Sequence, residues 1–270
     1  MVIAVETAGL TRRFGASVAV DHLDLSIEQG SLFGLLGPNG AGKTTALKML
    51  ITLLTPSAGR ARVAGFDVGR QASLVRGSIG YVPQLLSADG SLTGYENLLV
   101  SCRLHRVPRA QRRSRIDEAL ALTGLEQAAH RLVRVYSGGM IRRLEVVQAM
   151  LHRPPVLFLD EPTVGLDPVA RRSVWDQLRR LRQHHATTMV LTTHYMEEAE
   201  ELCDGLGIMH LGRLVALGDP QALKASVPGA VSLDDVFAAC TGASMTRAGM
   251  EQEGGFRDVA RTRRAVRRMA

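Results

Sequence analysis

The chain has 270 residues, a net charge of +7, 46% hydrophobic residues and 22% charged residues, a composition typical of a globular protein with a sizeable core. Its three cysteines are far apart and odd in number, which argues against a disulfide framework and against a zinc site. No apolar run approaches the ~18 residues that indicate a membrane-spanning helix, so we expect any membrane role to come through a partner.

The N-terminal part of the chain predicts strands followed by a strand–loop–helix unit. The segments VIAVET and HLDLSIE alternate apolar and polar residues, as half-buried strands do. LFGLL is a short apolar run typical of a strand buried on both faces. Apolar residues then recur at helical spacing within AGKTTALKMLITLL, so we expect a helix directly after a glycine-rich loop.

The rest of the chain alternates strands and helices. ARVAGFDV and SIGYVPQ are predicted as strands, and a mostly helical insertion follows over about residues 91–151. PVLFLDEP and TTMVLTTH predict buried strands separated by a long helix, and GLGIMHLGRLVALG predicts a closing hairpin. Strands separated by helices imply an α/β fold with a mostly parallel sheet.

Basic residues are concentrated in two segments. The helical insertion carries an arginine cluster, whose members are Arg103, Arg106, Arg109, Arg112, Arg113 and Arg115. Residues 243–270 are also basic and lose apolar periodicity, so we expect them to form a flexible tail beyond a domain of residues 1–242. Such clusters can bind nucleic acid or anionic lipid, and they can equally be solvated surface.

The segment GPNGAGKTT matches the phosphate-binding pattern G-x-x-x-x-G-K-[ST]. Glycines there let backbone N–H groups point at phosphate oxygens, Lys43 would add charge on the terminal phosphates, and Thr44 would offer a hydroxyl to Mg²⁺. A structural glycine turn is the alternative, but the buried strand before it and the helix after it favour the site. The predicted nucleotide-binding residues here are Gly37, Pro38, Asn39, Gly40, Ala41, Gly42, Lys43, Thr44 and Thr45.

Polar residues also follow three other predicted strands. Asp160 would hold Mg²⁺, and Glu161 would polarise a water against the terminal phosphate. His194 could register the terminal phosphate, and Gln84 could contact Mg²⁺ or the attacking water. Each has a simpler alternative. Asp160 and Glu161 could form only an acidic turn, His194 could be a structural histidine, and Gln84 could be an ordinary loop residue.

Five motifs now stand in order: GPNGAGKTT, YVPQ, YSGGM, LFLDEPTVGLDP and LTTH. Their order and spacing resemble those of ABC-type ATPases over residues 3–242. The amino-acid sequences of the motifs are most similar to those of nucleotide-binding subunits of daunorubicin-resistance exporters. The resemblance implies a P-loop NTPase fold with a mostly parallel core sheet, an N-terminal antiparallel β subdomain and an inserted helical subdomain.

The resemblance also implies roles for residues that the spacing alone leaves unassigned. Phe14 falls where the family stacks an aromatic ring on adenine, although packing near a hairpin is the alternative. Asp167 falls on the loop that communicates across the family's dimer. The helical insertion, with Gln84 at its root, falls where the family docks a helix of a membrane subunit, and Tyr95 and Glu96 are candidate contacts there. The signature motif falls on Ser137, Gly138 and Gly139, flanked by Tyr136 and Met140 in place of the commoner residues.

The function implied is ATP hydrolysis that powers export of a drug-like or lipophilic substrate through a separate polytopic membrane permease. ATP and Mg²⁺ would be held at the cytoplasmic side of the membrane, between the phosphate loop of one protomer and the signature of a second copy or a similar chain. No cargo site is expected in this chain, and nucleic acid is not an expected partner.

The main alternative is a soluble ABC-type ATPase that acts on nucleic acid or ribosomes. The two basic segments favour it, but the chain has no coiled coil or zinc module between the first and second motifs and only one set of motifs. An inactive binding module is a further alternative, which the presence of Lys43, Asp160, Glu161 and His194 opposes.

Overall fold

The computed structural model describes residues 2–242, which form two β-sheets and a set of α-helices. The predicted tail, residues 243–270, lies outside the described residues. In chain order the strands are β1 (Ile3–Phe14), β2 (Ser17–Glu28), β3 (Leu32–Leu36), β4 (Ala58–Val63), β5 (Phe66–Asp67), β6 (Ile79–Val82), β7 (Val156–Asp160), β8 (Thr188–Thr193), β9 (Gly205–His210) and β10 (Arg213–Gly218). The α-helices are α1 (Lys43–Leu50), α2 (Ala72–Gly77), α3 (Gly94–Leu104), α4 (Arg109–Thr123), α5 (Gly138–Met150), α6 (Pro168–His185), α7 (Met196–Leu202), α8 (Pro220–Ala225) and α9 (Leu233–Thr241).

The larger sheet has six strands in the order β10-β9-β3-β8-β7-β6, and only β10 runs antiparallel to its neighbour. Every residue of β3, β7 and β8 is buried, as their continuous apolar sequences predict. The four strands β3, β8, β7 and β6 are parallel, so their carboxyl ends share one edge. That edge brings together four segments that are remote in sequence, namely those following residues 36, 82, 160 and 193.

The smaller sheet is antiparallel, in the order β2-β1-β4-β5. Its apolar face and the side of the larger sheet that carries α1 share one core cluster, which includes Leu10, Leu23, Leu47 and Phe158. Two predicted features are therefore confirmed: a mostly parallel core sheet and an N-terminal antiparallel sheet. The predicted strand ARVAGFDV is instead the hairpin β4–β5, because Ala64 (φ 50°) and Gly65 (φ 82°) adopt the left-handed conformation that reverses the chain.

Helices α3, α4 and α5 form the inserted helical part of the fold. Thr93 caps α3 in a reciprocal capping box with Glu96, and Ser137 caps α5 by accepting a hydrogen bond from the Met140 N–H. The buried hydroxyl of Tyr136 donates to the Ala128 carbonyl at 2.6 Å and holds the segment before α5 in place. Across residues 2–242, no helix combines the length and the apolarity that crossing a bilayer requires.

Two short helices near the end of the described chain were not expected from apolar periodicity. Asp219 caps α8, which begins at Pro220, and Ser232 caps α9 in a capping box with Asp235. These capping residues are the signals in the sequence that could have identified both helices. Val236 and Phe237 of α9 are buried, and α9 packs beside α8 and β10.

Candidate functional site

A cleft of about 580 Å³ opens at the carboxyl edge of the parallel strands, and we call it the phosphate-loop cleft. Its lining combines the glycine-rich loop with side chains from the ends of β6, β7 and β8. The lining residues are Ala19, Asn39, Gly40, Ala41, Gly42, Lys43, Thr44, Thr45, Gln84, Glu161, Val164, His194 and Tyr195. The location agrees with the general rule that open α/β sheets bind ligands at the carboxyl ends of their strands.

The glycine-rich loop needs glycine for two different reasons. Gly40 (φ 77°) and Gly42 (φ 103°) adopt conformations that side chains disfavour. A Cβ at Gly37 would collide with the carbonyl of Met209, and one at Gly42 would collide with the carbonyl of Ala19. The loop is thus wedged between β2 and β9 and leads directly into the N-terminus of α1, where unpaired N–H groups and the helix dipole favour an anion.

Lys43 is buried in the cleft and already has several partners. Its ammonium donates to the carbonyls of Gly37 (2.7 Å) and Pro38 (3.1 Å) and lies 3.5 Å from Glu161 Oε1. Burial lowers the pKa of Lys43, and the carboxylates of Glu161 and Asp160 offset that effect in part. The carbonyls of Gly37 and Pro38 therefore restrain the Lys43 side chain next to the place where phosphate would enter.

Asp160 accepts two hydroxyl hydrogen bonds on one carboxylate oxygen. Thr44 donates from the phosphate loop at 2.8 Å, and Thr192 donates from β8 at 2.7 Å. Asp160 itself is buried at the end of β7. Three separate segments of the chain thus fix a carboxylate beside a hydroxyl, which are two hard oxygen groups of the kind that Mg²⁺ accepts.

Glu161 lies at the centre of the polar groups in the cleft. Its carboxylate accepts a hydrogen bond from Gln84 Nε2 at 3.2 Å, and its Oε1 lies 3.3 Å from His194 Nδ1. Burial raises the pKa of Glu161, but His194 and Lys43 outweigh burial and lower the pKa below its ordinary value. Glu161 therefore carries its charge in this state and is held by residues from three other segments.

The backbone of Glu161 is strained. Its φ of 47° lies in the left-handed region, which costs a residue with a Cβ on the order of 1–2 kcal/mol. Its N–H donates to the Thr192 carbonyl at 3.1 Å and lies 3.0 Å from the Thr192 hydroxyl, so β8 holds the strained conformation in place. Strain of this kind is concentrated at functional sites, where contacts with surrounding residues hold the backbone in an unfavourable conformation.

The signature residues lie outside the phosphate-loop cleft. Ser137 and Gly138 are exposed at the N-terminus of α5, and a Cβ at buried Gly139 would collide with Ala170 of α6. Asp167 is also exposed, and it caps α6 by accepting from the Ala170 N–H at 2.9 Å. We call the surface formed by residues 135, 137, 138, 167 and 169 the signature edge.

Phe14 is also absent from the lining of the cleft. Its ring is 47% exposed at the end of β1, with the Arg12 guanidinium 4.6 Å from the ring centroid. Ala19, farther along β2 from the same hairpin, does reach the cleft. Sequence reasoning missed Ala19, Val164 and Tyr195 as lining residues, although the position of Tyr195 next to His194 was a usable signal.

The model of the ABC transporter family matches residues 20–164, more than half of the chain. The chain belongs to the ABC transporter family. It is 45% identical over 226 residues to the daunorubicin resistance ATP-binding protein DrrA3 of Streptomyces coeruleorubidus, covering 84% of this chain and 71% of that one. It is 45% identical over 222 residues to the Nod factor export ATP-binding protein I of Ralstonia nicotianae, covering 82% and 68%.

Solved structures agree with this ABC transporter assignment. An ATP-binding subunit of an ABC transporter superposes with a TM-score of 0.78 at 26% identity and covers 88% of this chain and 99% of its own. The cbiO1 protein of Clostridium perfringens, part of the transporter complex cbiONQ, gives 0.76 at 25% identity and covers 93% and 99%. The predicted P-loop NTPase fold is confirmed, and the chain is an ATPase that binds ATP.

Proposed function

We propose that this ABC ATPase powers export of a drug-like or lipophilic substrate through a separate membrane permease, with ATP sandwiched between two protomers. The observation that carries the sandwich is the separation of the cleft from the signature edge. The cleft offers a lysine, a carboxylate and a loop of N–H groups. The signature edge offers a helix N-terminus and a hydroxyl on a different, exposed surface.

In this proposal the residues predicted from the motifs bind the phosphates of ATP in the cleft. The loop N–H groups and the N-terminus of α1 take the phosphate oxygens, and Lys43 moves from Glu161 towards the terminal phosphate. Loss of that partner and arrival of phosphate charge raise the proton affinity of Glu161. Glu161 then orients the attacking water and accepts its proton, while Gln84 and His194 hold the water and the phosphate.

The donor set in the cleft fits Mg²⁺. The Thr44 hydroxyl and the Asp160 carboxylate lie together at 2.8 Å, and Gln84 adds an amide oxygen nearby. Mg²⁺ in such sites takes one or two protein oxygens and leaves its other positions to phosphates and water. Bound there, the ion supplies positive charge against the phosphate oxygens. Thr44, Asp160 and Gln84 are the residues that we propose hold it.

The signature edge has the chemistry to complete the site of another chain. Ser137 Oγ accepts from the Met140 N–H at 3.2 Å, which leaves its own O–H free to donate to phosphate. The N-terminus of α5 adds positive potential. Val135 and Val169 are 54% and 79% exposed on the same edge, which a second protomer would cover. Closure of the pair would exclude water and strengthen these interactions.

A mixing experiment tests the sandwich directly. Lys43→Met disables a cleft and Ser137→Arg disables a signature edge, so each variant alone should be inactive. A mixed dimer contains one site in which both halves are intact. Random mixing should therefore restore roughly a quarter of wild-type turnover, since about half of the dimers are mixed and each has one of two sites. A chain that carries both changes is the control, and an inactive mixture would contradict the sandwich.

A second surface supports a membrane partner. A groove of about 410 Å³, which we call the leucine groove, lies between β6 and helices α3 and α5. Pro83, Ser87 and Glu145 line it, and exposed Leu53 and Leu104 stand at it. Its apolar and polar mixture fits a short amphipathic helix of a permease.

The permease contacts expected at Tyr95 and Glu96 do not lie in this groove. Glu96 caps α3, and Tyr95 lines a neighbouring arginine groove with Arg103, Arg109, Arg112 and Arg113. We therefore assign docking to the leucine groove rather than to those two residues.

The transporter assignment is tested by co-expression with a candidate polytopic membrane protein. We expect the two proteins to purify together, Leu104→Asp to abolish their association, and cargo to stimulate ATP hydrolysis. Leu217→Asp, which changes an exposed leucine away from the groove on β10, is the matched control. Salt-sensitive binding of nucleic acid with no permease association would favour the nucleic-acid alternative instead.

A further inference from the structure

The segment that carries Gln84 has little structure of its own. Residues 83–88 belong to neither a strand nor a helix. Leu85 is 82% exposed and Leu86 is 49% exposed, so packing does not hold the middle of the segment. Yet Gln84 must be placed accurately, because its amide lies 3.2 Å from Glu161 in the phosphate-loop cleft.

Two charged side chains of α5 hold this segment on both sides of its exposed leucines. Arg142 donates to the Pro83 carbonyl at 2.7 Å and to the Gln84 carbonyl at 2.6 Å. Glu145 accepts from the Ser87 N–H and, at 3.1 Å, from the Ala88 N–H. We propose that Arg142 and Glu145 are positioning residues that fix Gln84 in the phosphate-loop cleft and tie it to α5, the helix whose N-terminus carries Ser137.

The pair is fully enclosed. Arg142 is 2% exposed and Glu145 is 3% exposed, and their side chains form an ion pair at 3.0 Å. Burying two charges costs so much desolvation energy that an ion pair of this kind is a poor source of stability compared with apolar packing. The pair instead fixes the geometry of the segment, because a guanidinium can bind two carbonyls at once while its partner carboxylate accepts from two N–H groups.

The same helix connects three places that the proposed function uses. Its N-terminus carries Ser137 at the signature edge, and its next turn carries Arg142, which holds the Gln84 backbone. Glu145 also lines the leucine groove. Because Arg142 ties the Gln84 backbone to α5, a rigid shift of α5 would carry Gln84 and the signature edge together.

A double-mutant cycle on the ATPase reaction tests the positioning role. Arg142→Met should lower kcat by roughly ten-fold while the KM for ATP stays within about two-fold, because the cleft itself is untouched. In a Gln84→Ala background, Arg142→Met should have almost no further effect, since a residue that acts only through Gln84 loses its role with it. Arg142→Lys should lower kcat almost as much as Arg142→Met, because one ammonium cannot hold both carbonyls as the guanidinium does.

Arg143 provides the matched control. It is the next residue of α5, and its guanidinium donates to the Thr123 carbonyl of α4 at 2.8 Å, away from Gln84. Arg143→Met removes the same charge from the same helix, so its effect on kcat should be small and additive with Gln84→Ala. Unfolding temperatures of both variants separate a loss of stability from a loss of positioning.

The outcomes are distinct. Independent, additive effects of Arg142→Met and Gln84→Ala, or an unchanged kcat in folded Arg142→Met, would overturn the positioning role. If Gln84→Ala itself leaves kcat unchanged, the catalytic assignment of Gln84 fails instead, and the role of Arg142 fails with it. If Arg142→Met does not fold, Glu145→Gln replaces it in the cycle. That variant leaves only a weaker, uncharged acceptor for the Ser87 and Ala88 N–H groups and removes the ion pair with Arg142, so it should lower kcat less than Arg142→Met but show the same lack of additivity with Gln84→Ala.

Discussion

The phosphate-loop cleft and the signature edge differ in how far one chain completes them. In the cleft, Glu161 already contacts Lys43, Gln84 and His194, and Asp160 accepts from Thr44 and Thr192. At the signature edge, Ser137 and Asp167 only cap their own helices and otherwise face solvent. The cleft is thus an internally connected site, whereas the edge presents a binding surface outward.

This difference teaches that the same kind of motif can serve two purposes. Both regions have glycines at a helix N-terminus, Gly42 just before α1 in the cleft and Gly138 and Gly139 at the start of α5 at the edge, and each such terminus favours an anion. The cleft adds Lys43 and the buried carboxylates of Asp160 and Glu161 to it, whereas the edge adds only the exposed carboxylate of Asp167, which caps α6. We therefore interpret the edge as half of a site whose other half lies on a second chain.

The largest expected effect tests the cleft. Glu161→Gln should lower turnover by roughly 10²–10⁴-fold, because an amide cannot accept the proton of the attacking water. ATP binding should persist, so closed dimers should accumulate with ATP and appear by size-exclusion chromatography. Glu198→Gln is the control, since it makes the same change at a buried carboxylate that contacts Thr163 and Trp175 instead. Near-normal turnover in Glu161→Gln would remove Glu161 from the role of base.

A slightly smaller effect tests the signature edge. Ser137→Arg should reduce hydrolysis by about a hundred-fold or more, because bulk there blocks approach of the other protomer's phosphate and removes a donor. Binding of ATP to the monomer should be unchanged.

Ser232→Arg makes the matched comparison for Ser137→Arg, since Ser232 caps α9 in the same way. Either change should cost about 1 kcal/mol of helix capping, but only Ser137→Arg should stop turnover. Equal effects of the two changes on turnover would show that capping alone explains Ser137.

Phe14 tests how far the cleft extends beyond the phosphates. If its exposed ring stacks on adenine, Phe14→Ala should weaken ATP binding by roughly 5- to 100-fold, the range for a lost aromatic–base contact. Binding of inorganic triphosphate, which has no base, should not change. Val18→Ala, an exposed position on the same hairpin, is the control. Equal loss of ATP and triphosphate binding would mean that Phe14 supports the hairpin rather than the base.

The smallest expected effect concerns the basic tail. Removal of residue 245 onward should leave turnover within about two-fold of wild type, because apolar patterning fades there and the cleft and edge both lie before it. ATPase activity and the unfolding temperature of the shortened chain are the measurements. Loss of folding would show that the tail packs against the domain and contributes to one of the two regions.

Local patterns in the sequence were sufficient for most of the fold. The continuous apolar runs of β3, β7 and β8 predicted buried parallel strands, and the turn chemistry after β3 predicted a phosphate loop. Apolar periodicity was insufficient for the hairpin at Ala64 and for the short helices α8 and α9. Those features depend on backbone conformation and capping, which act over two to four residues and leave no long periodic signal.

By itself the sequence determined the class of the protein and the identity of its polar groups, because strand ends and glycine loops are local signals. Only the tertiary structure decided which of those groups meet. Thr44 and Asp160 lie 116 positions apart in the chain and 2.8 Å apart in the fold, because parallel pairing brings the ends of β3, β8 and β7 to one edge. It also placed Arg142 and Glu145 on the backbone around Gln84, a contact that no spacing in the sequence indicates.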